Sequence, residues 1–188
     1  SLYASDTFAD SNQVNTSELL VVATVAANNA PVIGNVTLDE ADNINLVENG
    51  NKTFRFSFVV TDGDGLNNIV NNSAVANISR TGETTRYNDT FVNSNDGGCN
   101  AVNNVGTNGK NFSCTINIVF YDGAGSWNIA VRINDSNGAF AQNTTKTFTI
   151  NELTALTINP NSISFPVIAS GNVNTSSLAN ITLTNTGN

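Results

Sequence analysis

Residues 53–61, TFRFSFVVT, put Phe54, Phe56, Phe58 and Val60 in one phase and Arg55, Ser57, Val59 and Thr61 in the other. At 3.6 residues per turn the three phenylalanines would spread around a helix, whereas at a period of two they line one face of a strand. Turn-forming pairs bound the stretch, Asn49-Gly50 before it and Asp62-Gly63-Asp64-Gly65 after it. Gly, Asn and Asp reach the backbone conformations that tight turns need. The reading is a strand with one buried face, closed at both ends by turns.

The same test succeeds further along the chain. Phe112, Cys114, Ile116, Ile118 and Phe120 share a phase, and so do Trp127, Ile129, Val131 and Ile133, with Asn128, Ala130, Arg132 and Asn134 facing out. Asp122-Gly123-Ala124-Gly125 precedes the Trp strand and Asn137-Gly138 follows it. Strands are expected near 31–38, 44–48, 53–61, 73–79, 86–92, 111–120, 127–135 and 140–150. A short turn around residues 66–70 is the one place left for helix. Short alternating strands at such spacing define an all-β chain and an antiparallel β-sandwich. Trp127, in the inward phase, is expected in its core.

Composition removes several functions. The chain of 188 residues holds 35 Asn, 22 Thr and 16 Ser, while only 12% of residues are charged. A typical soluble domain carries roughly 25% charged residues, so amides and hydroxyls hydrate this surface in place of ions. The net charge of −8 comes from 15 acidic and 7 basic residues, which leaves no basic stripe for nucleic acid. With no histidine, the usual general base and the commonest zinc ligand are missing. The longest apolar run, residues 19–27 (LLVVATVAA), is about half of a bilayer span, so no transmembrane helix is expected. No basic, then apolar, leader opens the chain, and any signal peptide is expected to have been removed or to lie outside it.

The segments APVIGNVTLDE (30–40), FSFVVTDGDGL (56–66) and YDGAGSWNIAVRINDSNGAF (121–140) resemble the Ig-like and PKD-like modules of archaeal and bacterial surface proteins. The resemblance covers residues 31–150 and implies an Ig-like sandwich that serves as spacer or binder. Residues 153–188, LTALTINPNSISFPVIASGNVNTSSLANITLTNTGN, resemble the opening of a second sandwich, of the ASH-like or choice-of-anchor-D type. Its expected strands lie near 154–158, 163–168 and 178–184. Three strands cannot close a sandwich, so further chain or a neighbouring subunit is expected to complete 151–188. The N-terminal extension, 1–30, contains a matching candidate donor strand at 17–27, with Leu19, Leu20, Val21, Val22 and Val25 as its apolar side chains. Pairing with the chain's own sandwich or a neighbouring domain is the plain alternative to donation into another subunit. Donation repeated head to tail gives a filament.

Eleven asparagines stand in N-x-S/T sequons: Asn15, Asn35, Asn51, Asn71, Asn77, Asn88, Asn111, Asn134, Asn143, Asn174 and Asn180. Composition alone yields about 7, so the count is a modest excess for so short a motif. Phase adds to it, because Asn35, Asn77, Asn111, Asn134, Asn143 and Asn180 fall opposite the apolar phase of their strands, where a glycan can stand. Cys99 and Cys114 bracket a loop rich in Asn and Gly and are expected to form a disulfide, which suits an exported chain. Asp62, Asp64, Asp135 and Asn137 lie in loops at the same end of such a sandwich and could converge on a calcium ion; Asp-Gly and Asn-Gly are equally ordinary turn formers. The expectation is a non-enzymatic, glycosylated structural subunit of an extracellular surface assembly, needing no cofactor beyond its N-linked glycans. Its partners are copies of itself, with surface glycans or other cells as further ones. An adhesin or carbohydrate-binding module is the alternative.

Overall fold

The computed structural model describes residues 26–87, 99–163, 170–171 and 180–188. The candidate donor residues Leu19, Leu20, Val21, Val22 and Val25 lie outside them, as do Asn15, Asn88 and Asn174. The fold is an all-β antiparallel sandwich. One sheet runs β1 (Val32–Leu38), β3 (Asn51–Thr61), β7 (Gly109–Val119), β6 (Asn100–Val105) in that spatial order. The other runs β2 (Asn43–Ile44), β10 (Thr147–Ile150), β8 (Gly125–Asn134), β4 (Val75–Ser79), β5 (Arg86–Tyr87), with β9 (Phe140–Asn143) also paired to β8. All pairings are antiparallel except β2 with β10.

The alternation read from the sequence is the core. Phe54, Phe56, Phe58 and Val60 of β3 and Phe112, Cys114, Ile116 and Ile118 of β7 are buried, facing Trp127, Ile129, Val131 and Ile133 of β8. Phe54 stacks on Phe148 of β10 at 4.4 Å between ring centroids, which joins the two sheets through aromatic contact. Trp127 Nε1 donates to the Gly123 carbonyl at 2.9 Å, so burying the indole leaves no unpaired N–H. Gly125 enters β8 at φ 123°, a conformation that L side chains rarely adopt, and there the sequence needs glycine.

Three expectations are corrected, and one, the short helix at 66–70, is met and extended. Residues 100–105 were expected in a loop and instead form β6, all six of them exposed. With neither face buried, nothing in their side chains alternates; backbone pairing to β7 makes the strand. The strand expected at 44–48 contracts to Asn43–Ile44. The turn at 66–70 is a 3-10 helix at Leu66–Asn68, and a second follows at Asn71–Ser73. The single strand expected at 140–150 is two. Asn143 pairs with Val131 and Thr147 with Asn128, so four steps along one strand oppose three along β8. One extra residue makes a bulge and reverses the side-chain phase across it.

β11 (Leu156–Asn159) and β12 (Thr182–Asn185) form a separate two-stranded antiparallel sheet, at two of the three places expected beyond residue 150. The third, 163–168, lies almost wholly outside the described residues. The chain after β12 ties back to the sandwich. Asn188 donates to the carbonyls of Asp122 (3.0 Å) and Asn151 (3.2 Å), and its backbone and side chain both bond Leu153. Thr186, buried, donates to Glu48 at 2.7 Å.

Candidate functional site: the acidic loop end and the sequon faces

The structure brings Asp62, Asp64, Asp135 and Asn137 to one end of the sandwich. Asp62 ends the chain leaving β3 and Asp135 the chain leaving β8, and both are buried. Each carboxylate closes its own turn: Asp62 Oδ1 accepts from Asp64 N (2.8 Å), and Asp135 Oδ1 accepts from Asn137 N (2.9 Å) and Ala139 N (2.7 Å). Such Asx turns are what Asp-x-x-Gly sequences form locally.

Asn28 and Asn29, which sequence reasoning did not single out, occupy the middle of the cluster. Asn28 Nδ2 donates to Asp135 Oδ2 at 2.7 Å, and its Oδ1 accepts from Asn68 and Asn137. Asn29 donates to Asp64 twice, from its backbone N (2.7 Å) and from Nδ2 (2.8 Å). The Asn28 amide, helped by the N–H groups of Ala139, Asn137 and Gly138, holds Asp135 below the ordinary carboxylate range despite burial. Calcium takes six to eight oxygen ligands, and here the carboxylate oxygens of all three Asp accept N–H donors. Among the described residues no group of three or more His, Cys, Asp or Glu is placed to hold a metal. Through Asn28 and Asn29 the cluster fastens the chain leading into β1 across two loops.

The opposite end carries an ion pair. Arg86 reaches buried Asp122 through Nη2 (2.6 Å) and Nε (3.1 Å), and Asp122 Oδ2 also accepts from Val119 N at 2.9 Å. The Asp122 hydrogen bond raises the Arg86 pKa further above its already high value, so the guanidinium stays charged at any working pH.

Cys99 and Cys114 are bonded, with Cα atoms 4.3 Å apart, and both are buried. The bridge runs between neighbouring strands of one sheet and pins the start of β6 to β7. Among the sequons, Asn77 pairs with Ala130, Asn111 with Val59 and Asn134 with Phe140, all in the outward phase. Asn35, Asn51, Asn71 and Asn180 are exposed. Asn143 is the exception and corrects the expectation. It shares the face of buried Val131, because the bulge reverses the phase that Phe148 and Ile150 define.

A hollow of about 310 Å³ lies between the 3-10 turns and β6, lined by Leu66, Asn67, Asn71, Val102, Asn104 and Lys110 among others. It offers amides and one lysine, which Asn71 Oδ1 holds at 2.9 Å. Of the aromatics near the acidic end, Phe140 is half exposed, but the Arg132 guanidinium lies 4.3 Å from its ring centroid. The guanidinium covers one face of the ring.

No family model matches the chain, and no curated protein matches it. Among solved structures, that of murine CRIg aligns over 63% of this chain and 98% of its own, at 14% identity and a TM-score of 0.33. Among the described residues no helix is long and apolar enough to cross a membrane.

Proposed function

We propose that this chain is a non-enzymatic structural subunit of an extracellular, glycosylated surface assembly, a filament or cell envelope of the archaeal type, whose Ig-like sandwiches are joined by β-strand addition. The observation that carries the reading is the β11–β12 sheet. Leu156, Ile158, Ile181 and Leu183 are about half exposed or more, and the paired positions Ile158 and Leu183 share a face with Leu156. Among the described residues these two strands pair only with each other, and an apolar face of that kind calls for a covering layer. In this reading residues 151–188 are the start of a second sandwich that a neighbouring subunit or further chain completes, with the apolar segment at 17–27 as donor strand.

Supporting features are the disulfide, which suits an oxidising compartment, and the sequons on outward faces. Electron microscopy of native material tests the proposal: fibres or sheets with a regular subunit repeat are expected, and monodisperse monomers overturn it. An adhesin or carbohydrate-binding role is second, resting on the amide-lined hollow. Glycan-array binding abolished by Asn67→Ala would favour it. Calcium is no part of the proposed mechanism, because the acidic end acts in it as an anchor. Equal melting temperatures in chelator and in added calcium are expected, and a clear rise with calcium would reinstate the metal.

A further inference from the structure

Asn143 sits where two bulges meet. On β9 and β10 the extra residue lies between Asn143 and Thr147, and on β1 it lies between Ile33 and Val36, which pair with Val60 and Phe58. The bulges belong to different sheets, and Asn143 Nδ2 crosses between them to donate to the Gly34 carbonyl at 2.9 Å. The amide oxygen is used as well, accepting from Thr145 N and Thr145 Oγ1, both at 2.9 Å. Thr145 is the hydroxyl residue of the same sequon, so the motif is closed on itself.

An N-glycan is carried on Nδ2, the atom that reaches Gly34. A sugar there stands between β1 and β9 and displaces the contact that joins the sheets at this side. One residue past Gly34 the situation is opposite: Asn35 is exposed in its bulge, and its side chain makes no hydrogen bond among the described residues. Asn51, at the start of β3, is exposed too, on the outward side of its strand.

We infer that the sequons are of two kinds: Asn35 and Asn51 accept glycan, whereas Asn143 stays unmodified and serves as a clasp that holds the bulge of β9 to the bulge of β1. The inference rests on the proposal that the protein is glycosylated. Its consequence is that glycan stands on the outward side of the β1 bulge and at the start of β3, while the contact between β1 and β9 stays free of it. The exposed bulge in β1 then carries sugar beside a seam that carries none.

Site-resolved glycopeptide mass spectrometry of the native protein tests the acceptor half. Asn35 and Asn51 are expected to carry glycan and Asn143 none. Glycan on Asn143, or bare Asn35 and Asn51 beside other occupied sites, overturns the inference and leaves the glycoprotein reading standing. Absence of glycan from every sequon overturns that reading and the acceptor half with it. The clasp is judged separately on unglycosylated recombinant chain. Asn143→Asp keeps the acceptor for Thr145, loses the donor to Gly34 and sets a carboxylate oxygen against that carbonyl, and a fall of at least about 2–4 °C in Tm is expected. Asn35→Gln, on the exposed side of the same seam, is expected to leave Tm unmoved. Equal melting of Asn143→Asp and the parent chain refutes the clasp.

Discussion

β8 and the β11–β12 sheet are written in the same alternating pattern, yet one is buried and the other is not. Trp127, Ile129, Val131 and Ile133 are all within 1% of complete burial, whereas Leu156, Ile158 and Leu183 expose 56%, 48% and 63% of their surface. The difference is the second layer. β8 faces the phenylalanines of β3 and β7 across the sandwich, while among the described residues β11 and β12 pair only with each other and every position in them is exposed. Alternation specifies a strand and its apolar face, and only another sheet supplies the burial that stabilises it.

The largest effect expected from breaking this comparison is in the core. Phe54→Ala removes a buried ring that bridges the sheets and is expected to cost about 4 kcal/mol, read from denaturant unfolding. Next comes the bridge. Replacing both Cys99 and Cys114 with alanine releases a loop of sequence separation 15, for a loss of about 3 kcal/mol in the chain-entropy model. Unchanged stability there would mean that pairing with β7 holds β6 unaided.

A smaller effect separates the ends of the sandwich. Asp135 has its folded pKa lowered, so it binds a proton less readily folded than unfolded, and its stabilising contribution is present above the ordinary carboxylate range. That contribution is lost as pH falls below about 4 and through the folded pKa. The parent chain should therefore lose stability in acid more steeply than Asp135→Asn, compared by melting from neutral pH downward.

The smallest effect sharpens the comparison most. Leu183→Thr, on the exposed face of β12, is expected to change the stability of the isolated chain by less than about 0.5 kcal/mol. In assembled native material the same substitution is expected to weaken or abolish the assembly, as read by sedimentation. A large loss of stability in the monomer would show that this face is already covered by the chain itself.

Much of the fold was legible because its signals are local. Strand phases in β3, β7 and β8 follow from which neighbours are apolar, and the Cys99–Cys114 pair from being the two cysteines present. β6 was illegible because its residues, NAVNNV, do not alternate, and backbone pairing to β7 makes the strand. The acidic end was half legible: Asp62, Asp64, Asp135 and Asn137 stand in turn sequences, but the Asn28 and Asn29 that join them come from 35 or more residues away. An asparagine in a chain with so many others gives no signal of its own.

The amino-acid sequence by itself determined the all-β class, the buried face of each central strand and the residues that fill the core, because side-chain period and turn chemistry act over a few residues. Tertiary structure alone decided the orientation of Asn143, the existence of β6 and the gathering of the acidic loops around Asn28. Each of these depends on a partner strand or loop distant in the chain. A bulge of one residue is a mismatch between two strands, and no single strand records it.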